Sequence, residues 1–450
     1  MFKHREIDML NGSLWDKIIL FAMPLALTGV MQQLLNAADV VVLGQFVGKN
    51  AMAAVGNNTA LIGLLVNLFM GLSLGANVVI AQNLGAKKIA RAHAAVQTAF
   101  FLALTTGVII AAIGEVLVDP IFELLSVPQE VLPMAESYLR IYLLGLPVMG
   151  IYNFEAAIFR SRGDTQTPLI SLTIASIVNI ALNLLFVLKF DMGVAGVAWA
   201  TVIASAISAI ILFHALLTSK GVIHLDFGEI KFYKRILKDI VRIGLPAGIQ
   251  GMVFSLSNLL IQSAINSLGA DAMAASAAAF TIEINVFCVI NGFGQAATTF
   301  VSQNYGAGDL PRCKEITKTS MGLSMLFMAA MAAIVGYFAE DMLQFFSSDP
   351  NVITLGVIRI YYVVFPEFIN VVMEIVSGAM RGYGFSMPPA IITLIFICGI
   401  RIAWVYTFFA ETPTYANLML VYPVSWFVTA IFLLMAYRFY VNNLRVPDFR

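Results

Sequence analysis

Polar residues interrupt long apolar runs along the whole of this 450-residue chain. A helix that crosses a bilayer needs about 20 mainly apolar residues, because the hydrocarbon core is about 30 Å thick. Membrane-spanning strands are about ten residues long and alternate in polarity, whereas these runs are longer and apolar on all sides. The pattern predicts twelve transmembrane helices, at residues 17–46, 53–82, 93–115, 136–160, 167–190, 194–218, 240–267, 273–303, 318–338, 355–380, 387–410 and 417–440.

Composition excludes several other classes of protein. Hydrophobic residues make up 60% of the chain and charged residues 12%, whereas soluble proteins carry about 25% charged residues. The formal net charge of zero argues against nucleic-acid binding, which needs a basic face. Three cysteines without a CxxC pair exclude a disulfide scaffold and the usual zinc spacings. We therefore expect an all-α polytopic membrane protein.

Basic residues cluster at alternate ends of the predicted helices. With the N-terminus in the cytoplasm, 21 of the 26 lysines and arginines fall on the cytoplasmic side, as the positive-inside rule requires. Twelve spans then return the C-terminus to the cytoplasm, and we expect a multi-pass protein of the plasma (inner) membrane. The one long polar stretch, residues 219–239, is predicted to be a cytoplasmic connector whose lysines face solvent or anionic membrane lipid.

The two halves of the sequence repeat each other. The motif QNxGA at residue 82 returns at residue 303, and the motif RIY at residue 140 returns at residue 359. Pro24 and Asn36 return as Pro246 and Asn258. Six helices per repeat predict two parallel, pseudo-symmetric six-helix lobes, at 1–218 and 240–450. Such lobes typically move against each other around a central site, although duplication of a static scaffold is the alternative.

This duplicated pattern resembles the multidrug and toxic compound extrusion (MATE) family of cation-coupled efflux transporters. The segments that carry the resemblance are the Pro24–Asp39 helix, the repeated QNxGA motif, Arg160–Pro168 (RSRGDTQTP), and Asn179–Asn183 followed by Met192–Gly196 (MGVAG). The resemblance extends from about residue 12 to residue 440. It implies two six-helix lobes around a central cavity, and export driven by the entry of protons or sodium.

Asp39 is the main candidate for ion coupling. Ionisable side chains inside a span cost on the order of a few kcal/mol, so each is a functional candidate. A carboxyl group in a low-dielectric environment takes up a proton more readily than in water, and with neighbouring oxygens it can bind a small cation such as sodium instead. A purely structural hydrogen bond between helices is the alternative.

Asn179 and Asn183 lie four residues apart and so share one helix face. In the resembling family many members carry an acid at the position of Asn183, and Thr201 falls in the same cluster. The resemblance therefore implies a cation-coupling site of Asp39, Asn179, Asn183 and Thr201. With an amide at position 183, Asp39 is the one titratable group of this site. Amide and hydroxyl oxygens beside one carboxylate can also bind sodium, so the coupling ion can be H+ or Na+.

The second half carries charges that the first half lacks. Glu283, Glu374 and Arg401 fall inside predicted helices 8, 10 and 11. Positions 283 and 401 correspond to Ile62 and Ile180 in the first half, so these charges are not a feature of the repeat. We expect Glu283 or Glu374 to meet a cationic substrate or to pair with Arg401. A buried Arg–Glu pair that only fixes packing is equally open.

Other polar and helix-breaking positions are weaker candidates. Glu155 and Glu367 also fall inside predicted spans, and Pro24, Pro147, Pro246 and Pro366 are predicted to interrupt helices 1, 4, 7 and 10. Four histidines form no metal-ligand spacing and no HExxH motif is present, so neither an intramembrane enzyme nor a metal site is predicted.

The leading hypothesis is a secondary-active exporter of amphipathic, cationic organic compounds. It needs no cofactor beyond the coupling ion H+ or Na+, and we expect it to act as a monomer without nucleic acid. A channel is disfavoured because two repeats cannot form a ring of like side chains around a pore. The alternative from a neighbouring class is a flippase for a lipid-linked precursor.

Overall fold

The computed structural model describes residues 6–124, 129–219, 221–225 and 233–444, and these residues form helices and loops without a strand. The α-helices are α1 Trp15–Phe46, α2 Lys49–Gly85, α3 Ile89–Leu124, α4 Leu132–Ser161, α5 Gln166–Leu184, α6 Gly193–Thr218, α7 Lys234–Asn266, α8 Ala270–Gly306, α9 Leu310–Tyr337, α10 Ala339–Gln344, α11 Pro350–Val363, α12 Glu367–Gly382, α13 Met387–Thr393, α14 Gly399–Tyr406, α15 Phe408–Glu411, α16 Tyr415–Met419 and α17 Val421–Asn442. Two π-helical turns, Leu185–Lys189 and Leu394–Cys398, continue α5 and α13.

The lengths of these helices confirm the predicted fold class. Eleven helical stretches of the described chain are long and apolar enough to cross a membrane, and the bent pair α11 and α12 makes a twelfth span. Many of their large apolar side chains are exposed, including Val116, Ile177, Ile210 and Leu326. A soluble protein would bury such residues, whereas a bilayer solvates them.

The prolines behave differently from one another. Pro366 lies at a 43° bend between α11 and α12, as the sequence predicts. Pro24, Pro147 and Pro246 lie inside helices that continue past them, so these three prolines do not end their helices, and a bend at each of them stays a prediction. One missing backbone hydrogen bond does not end a long helix when its neighbours hold it on both sides.

Packing divides the chain into two compact units. Unit 1 contains Val30–Gly248, and unit 2 contains Asp8–Gly29 and Ile249–Arg450. Unit 1 also contains the residues before Asp8, and the two main divisions between the units fall within α1 and within α7. The lobe boundaries expected from the repeat, at residues 218 and 240, stay a prediction.

Part of the predicted connector packs into unit 1. Ile223 and Leu225 are buried in its apolar core. The carbonyl oxygen of His224 accepts hydrogen bonds from Nε2 of His93 (3.0 Å) and from Nε2 of Gln97 (3.3 Å), both on α3. The beginning of the connector is therefore attached to α3, while Lys220 and residues 226–232 lie outside the described residues.

Glycines allow two helices of unit 1 to meet backbone to backbone. Gly71 and Gly75 on α2 face Gly244 and Gly248 on α7, so a GxxxG motif stands on each side. A Cβ atom at Gly71 would lie 2.1 Å from the backbone nitrogen of Gly248, and one at Gly75 would lie 2.3 Å from the carbonyl oxygen of Ile240. Such small-residue contacts are typical of helices that associate in membranes.

In unit 2, the corresponding helices of the two repeats meet in the same way, but one helix carries alanines in place of the glycines. A Cβ atom at Gly292 on α8 would lie 2.7 Å from the carbonyl oxygen of Ala22 and 3.1 Å from the nitrogen of Ala26, both on α1. In each unit, the second helix of one repeat thus packs against the beginning of the first helix of the other repeat.

Candidate functional site

Three helices of unit 1 bring Asp39 against polar side chains. Asp39 lies on α1 and is 6% exposed. Its Oδ1 accepts a hydrogen bond from Nδ2 of Asn183 on α5 (2.5 Å), and its Oδ2 accepts one from Oγ1 of Thr201 on α6 (3.2 Å). Within the described residues, Asp39 has no lysine or arginine partner. Neutral donors alone therefore hold this buried carboxyl group.

Asn179 completes the cluster from the preceding turn of α5. Its Oδ1 accepts from Nδ2 of Asn183 (3.1 Å), and its Nδ2 donates to Oγ1 of Thr201 (3.4 Å). Oδ1 of Asn183 has no hydrogen-bond partner in the described part of the chain. The structure thus brings all four predicted residues into one connected network, and their role in ion coupling stays a prediction.

The hydroxyl group of Thr201 has two acceptors and one proton. Oγ1 lies 3.2 Å from Oδ2 of Asp39 and 3.1 Å from the carbonyl oxygen of Val197, one turn earlier on α6. A hydroxyl group donates one hydrogen bond at a time. Asp39 and the carbonyl oxygen of Val197 therefore compete for the one proton of Thr201.

A π-helical turn begins two residues after Asn183. The turn spans Leu185–Lys189, and such turns are frequent at functional sites because they rotate the helix that follows. Gly196 on α6 lies against this turn, since a Cβ atom there would be 2.9 Å from Cβ of Phe186. The close approach of α6 to the end of α5 aligns Thr201 with the two asparagines.

Two tyrosines near Asp39 were not predicted. Tyr138 and Tyr142 on α4 are buried, stack with ring centroids 6.3 Å apart, and lie within electrostatic range of Asp39. From the sequence, Tyr142 was considered only as part of the repeated RIY motif. The feature that could have indicated these residues is the four-residue spacing of two tyrosines inside a predicted span.

In unit 2, Glu283 pairs with an arginine other than the expected one. Nε and Nη2 of Arg359 on α11 donate to the two carboxylate oxygens of Glu283 on α8, at 2.7 and 2.9 Å. Both side chains are buried, at 4% and 7% exposure. Neither Glu283 nor Glu374 forms an ion pair with Arg401 within the described chain, so the expected pairing with Arg401 is wrong.

Arg401 instead contacts neutral groups. It is fully buried, and Nη1 donates to Oδ1 of Asn258 (2.6 Å) and to Oγ of Ser257 (3.2 Å), both on α7. Its guanidinium carbon lies 4.6 Å from the ring centroid of Tyr422 and 5.3 Å from that of Phe254. Cation–π contacts of this kind partly replace the hydration of a buried cation.

Two further glutamates lie on α12. Glu367 is buried and accepts a hydrogen bond from Nδ2 of Asn370 (2.8 Å), and Glu283 and Glu374 both lie within its electrostatic range. Glu374 is only partly buried and acts electrostatically on Arg381, near the cytoplasmic end predicted for this helix. Of the two predicted substrate carboxylates, only Glu374 is therefore free of a direct arginine pair.

Glu155 on α4 is a buried carboxyl group without hydrogen-bond partners in the described residues, and Tyr152 lies within its electrostatic range.

Within the described residues, no group of three or more His, Cys, Asp or Glu side chains could hold a metal ion. Any cation at Asp39 would therefore be bound by one carboxylate together with amide and hydroxyl oxygens.

Known proteins share this architecture. A Bacillus subtilis (strain 168) protein described as the probable multidrug resistance protein YoeA is 26% identical, and the match covers 95% of this chain and 94% of the relative. The probable multidrug resistance protein NorM of Thermotoga maritima is 30% identical over 86% of this chain and 84% of its own. A solved structure, described as the outward-facing conformation of a multidrug resistance MATE family transporter, superposes with a TM-score of 0.91 at 21% identity, covering 98% and 99% of the two chains.

The family profile MatE matches the chain twice, at residues 24–185 and 246–407. The two matches begin 222 residues apart and reproduce the internal repeat. Members of this family are transporters and not enzymes, as the lack of catalytic motifs predicts. The profile covers most of the chain, and the chain therefore belongs to the MatE family of multi-pass membrane transporters.

Proposed function

We propose that this protein is a cation-coupled exporter of amphipathic, cationic organic compounds, and that Asp39 binds the coupling ion, H+ or Na+. The observation that carries the proposal is the environment of Asp39, a buried carboxyl group held by neutral donors from two other helices. Its charge can be neutralised by an arriving cation without first breaking an ion pair. Ion binding therefore changes the contacts between α1, α5 and α6 directly.

Protonation of Asp39 would act through its hydrogen-bond partners. A neutral carboxyl group is a weaker acceptor for Nδ2 of Asn183 and for the hydroxyl group of Thr201. Thr201 then donates to Val197 on its own helix, and α1 loses a contact with α6. The proton gradient thereby biases α1 between two arrangements.

Sodium would use the oxygens of the same side chains. Nδ2 of Asn183 faces both Asp39 and Oδ1 of Asn179, while Oδ1 of Asn183 has no partner within the described residues. Rotation of this amide by half a turn would aim a third oxygen at the other two. Three oxygens facing one another repel unless a cation lies between them, so this rotation is favourable only with the ion bound.

The substrate side of the proposal rests on Glu374. Glu283 already binds Arg359 with both oxygens, whereas Glu374 is partly exposed and has no direct arginine pair in the described chain. A partly exposed carboxylate inside a span suits an amphipathic cation. The transporter would then open alternately to the two sides of the membrane, so that the substrate leaves the cell as the coupling ion enters.

The charge pattern supports the membrane orientation of this exporter. We propose that it acts as a monomer, and we place it in the plasma (inner) membrane with both termini in the cytoplasm. The support is the position of 21 of the 26 basic residues on one side of the predicted topology.

The test is transport of a fluorescent cationic dye in proteoliposomes, with proton and sodium gradients imposed separately. We expect one gradient to drive efflux in the wild type, and Asp39→Asn to abolish that dependence. Asp341→Asn, at an exposed position on α10, is the matched control and should transport like the wild type. Equal transport by Asp39→Asn under both gradients would refute the coupling role. If neither gradient drove any dye, the flippase alternative would replace this proposal.

A further inference from the structure

One edge of the Arg401 guanidinium group has no acceptor. Nη1 is occupied by Asn258 and Ser257, whereas Nε and Nη2 are buried and have no hydrogen-bond partner in the described part of the chain. A buried donor without an acceptor costs about 1–3 kcal/mol, and more when it is charged. A purely structural role for Arg401 therefore leaves two of its buried nitrogens without a hydrogen-bond acceptor in the described residues.

Arg359 shows what such an edge binds in this protein. Its Nε and Nη2 hold the two oxygens of Glu283 at 2.7 and 2.9 Å. This side-on geometry is the strong bidentate form of an arginine–carboxylate contact. The same pair of nitrogens on Arg401 therefore offers a second site of the same shape, and no carboxylate of the described residues binds it.

Two buried guanidinium groups lie beside the ring of Tyr422. Its ring lies 5.7 Å from the guanidinium carbon of Arg359 and 4.6 Å from that of Arg401. Within the described residues, Arg401 forms no ion pair with a carboxylate, and the phenol of Tyr422 and the thiol of Cys398 lie within its electrostatic range. Arginine cannot lose its proton in a protein, so Arg401 stays charged, and the carboxylate of Glu283 binds Arg359 and not Arg401.

The local backbone is built to hold Arg401 in place. The π-helical turn Leu394–Cys398 precedes Arg401 by three residues, and Sγ of Cys398 contacts the carbonyl oxygen of Val253 on α7 (3.5 Å). Position 401 corresponds to Ile180 in the first repeat. The two repeats therefore differ at this position in charge, and their π-helical turns lie at different places along the equivalent helices.

We propose that the Nε–Nη2 edge of Arg401 is an anion site in unit 2, oriented by Asn258 and Ser257 and bordered by the rings of Tyr422 and Phe254. Its ligand is a monovalent anion, either free chloride or the carboxylate of a transported aromatic compound. Asn258 is partly exposed and marks the side from which the anion approaches. This site is separate from Asp39 and does not depend on the coupling proposed there.

The free-anion source is tested by the thermal unfolding midpoint of the purified protein in a neutral detergent. Intrinsic fluorescence is followed at constant sodium concentration with chloride, formate or the bulky anion gluconate. We expect chloride and formate to raise the midpoint above that in gluconate, and Arg401→Gln to remove this difference. Arg140→Gln, at an arginine already paired with Glu115 and Asp119, is the matched control and should keep it.

The substrate source is tested in proteoliposomes with two dyes of one scaffold, a rhodamine with a free carboxylate and its methyl ester. If the anion is part of the substrate, Arg401→Gln should lower transport of the acid about tenfold or more and leave that of the ester unchanged. Should Arg401→Gln fail to fold, Arg401→Lys retains the charge without the bidentate edge and is expected to lose the same selectivity. An Arg401 variant that matches the wild type in both the unfolding and the dye assays would overturn the proposal.

Discussion

Replacement of Asn183 by aspartate tests the geometry around Asp39 with an almost isosteric change. Nδ2 of Asn183 lies 2.5 Å from Oδ1 of Asp39, and Asn183→Asp puts an oxygen in place of that nitrogen. Two unit charges at this separation repel by about 7 kcal/mol at an effective dielectric constant of about 20. Since the two side chains are 0% and 6% exposed, little water screens this repulsion. We expect the pair to share one proton at neutral pH.

Infrared difference spectroscopy detects that proton, because a protonated carboxyl group has a C=O stretch distinct from that of a carboxylate. The matched control is the exchange variant Asp39→Asn with Asn183→Asp, which moves the single carboxyl group from α1 to α5 and keeps the amide beside it. At pH 7 the acid band of Asn183→Asp should exceed that of the exchange variant. Two carboxylates that both ionise at pH 7 in Asn183→Asp would show that these side chains are not in contact, and the reasoning would fail.

Three further predictions follow from other contacts. Glu283→Gln and Arg359→Gln should each lower the free energy of unfolding by about 3–5 kcal/mol. The double variant should lose much less than the sum of these two values. Additive losses in a double-mutant unfolding cycle would contradict the buried pair. Gly71→Ala should reduce the yield of folded protein in size-exclusion chromatography, because its Cβ would lie 2.1 Å from the backbone nitrogen of Gly248. Gly63→Ala on the same helix should not reduce the yield, because a Cβ atom there would have no atom within 4 Å. Equal yields of the two variants would refute the helix contact. Thr201→Val should slow gradient-driven efflux and Thr201→Ser should retain it, and equal rates for both would remove the hydroxyl group from the site.

The spans were predictable because a bilayer imposes a simple rule on composition. The run at 194–218 became α6, Gly193–Thr218, almost residue for residue. The four-residue spacing of Asn179 and Asn183 likewise predicted a shared helix face. That this face meets Asp39 and Thr201 followed from the family resemblance, since no one-dimensional pattern states which helices touch.

Pairings across long separations were not predictable. Arg359 belongs to the RIY motif and looked like a marker of the repeat, yet it binds Glu283, 76 residues earlier. Arg401 was the obvious partner by location and contacts Asn258 instead. Nor does the presence of proline reveal which helix breaks. The second repeat has two more residues between Pro366 and its following arginine, Arg381, than the first repeat has at the equivalent place, and α11 and α12 meet there at a break with a 43° bend.

The glycine contact between α2 and α7 also constrains how the chain can be divided. Unit 1 needs the beginning of α7, up to Gly248, and unit 2 needs Asp8–Gly29 from α1. A fragment that ended in the connector would leave Gly71 and Gly75 facing lipid. Two half-length polypeptides could therefore regain the fold only by complementation, each lending its first helix to the other. A single repeat on its own would face the same requirement, which a dimer of two repeats that exchange their first helices would satisfy.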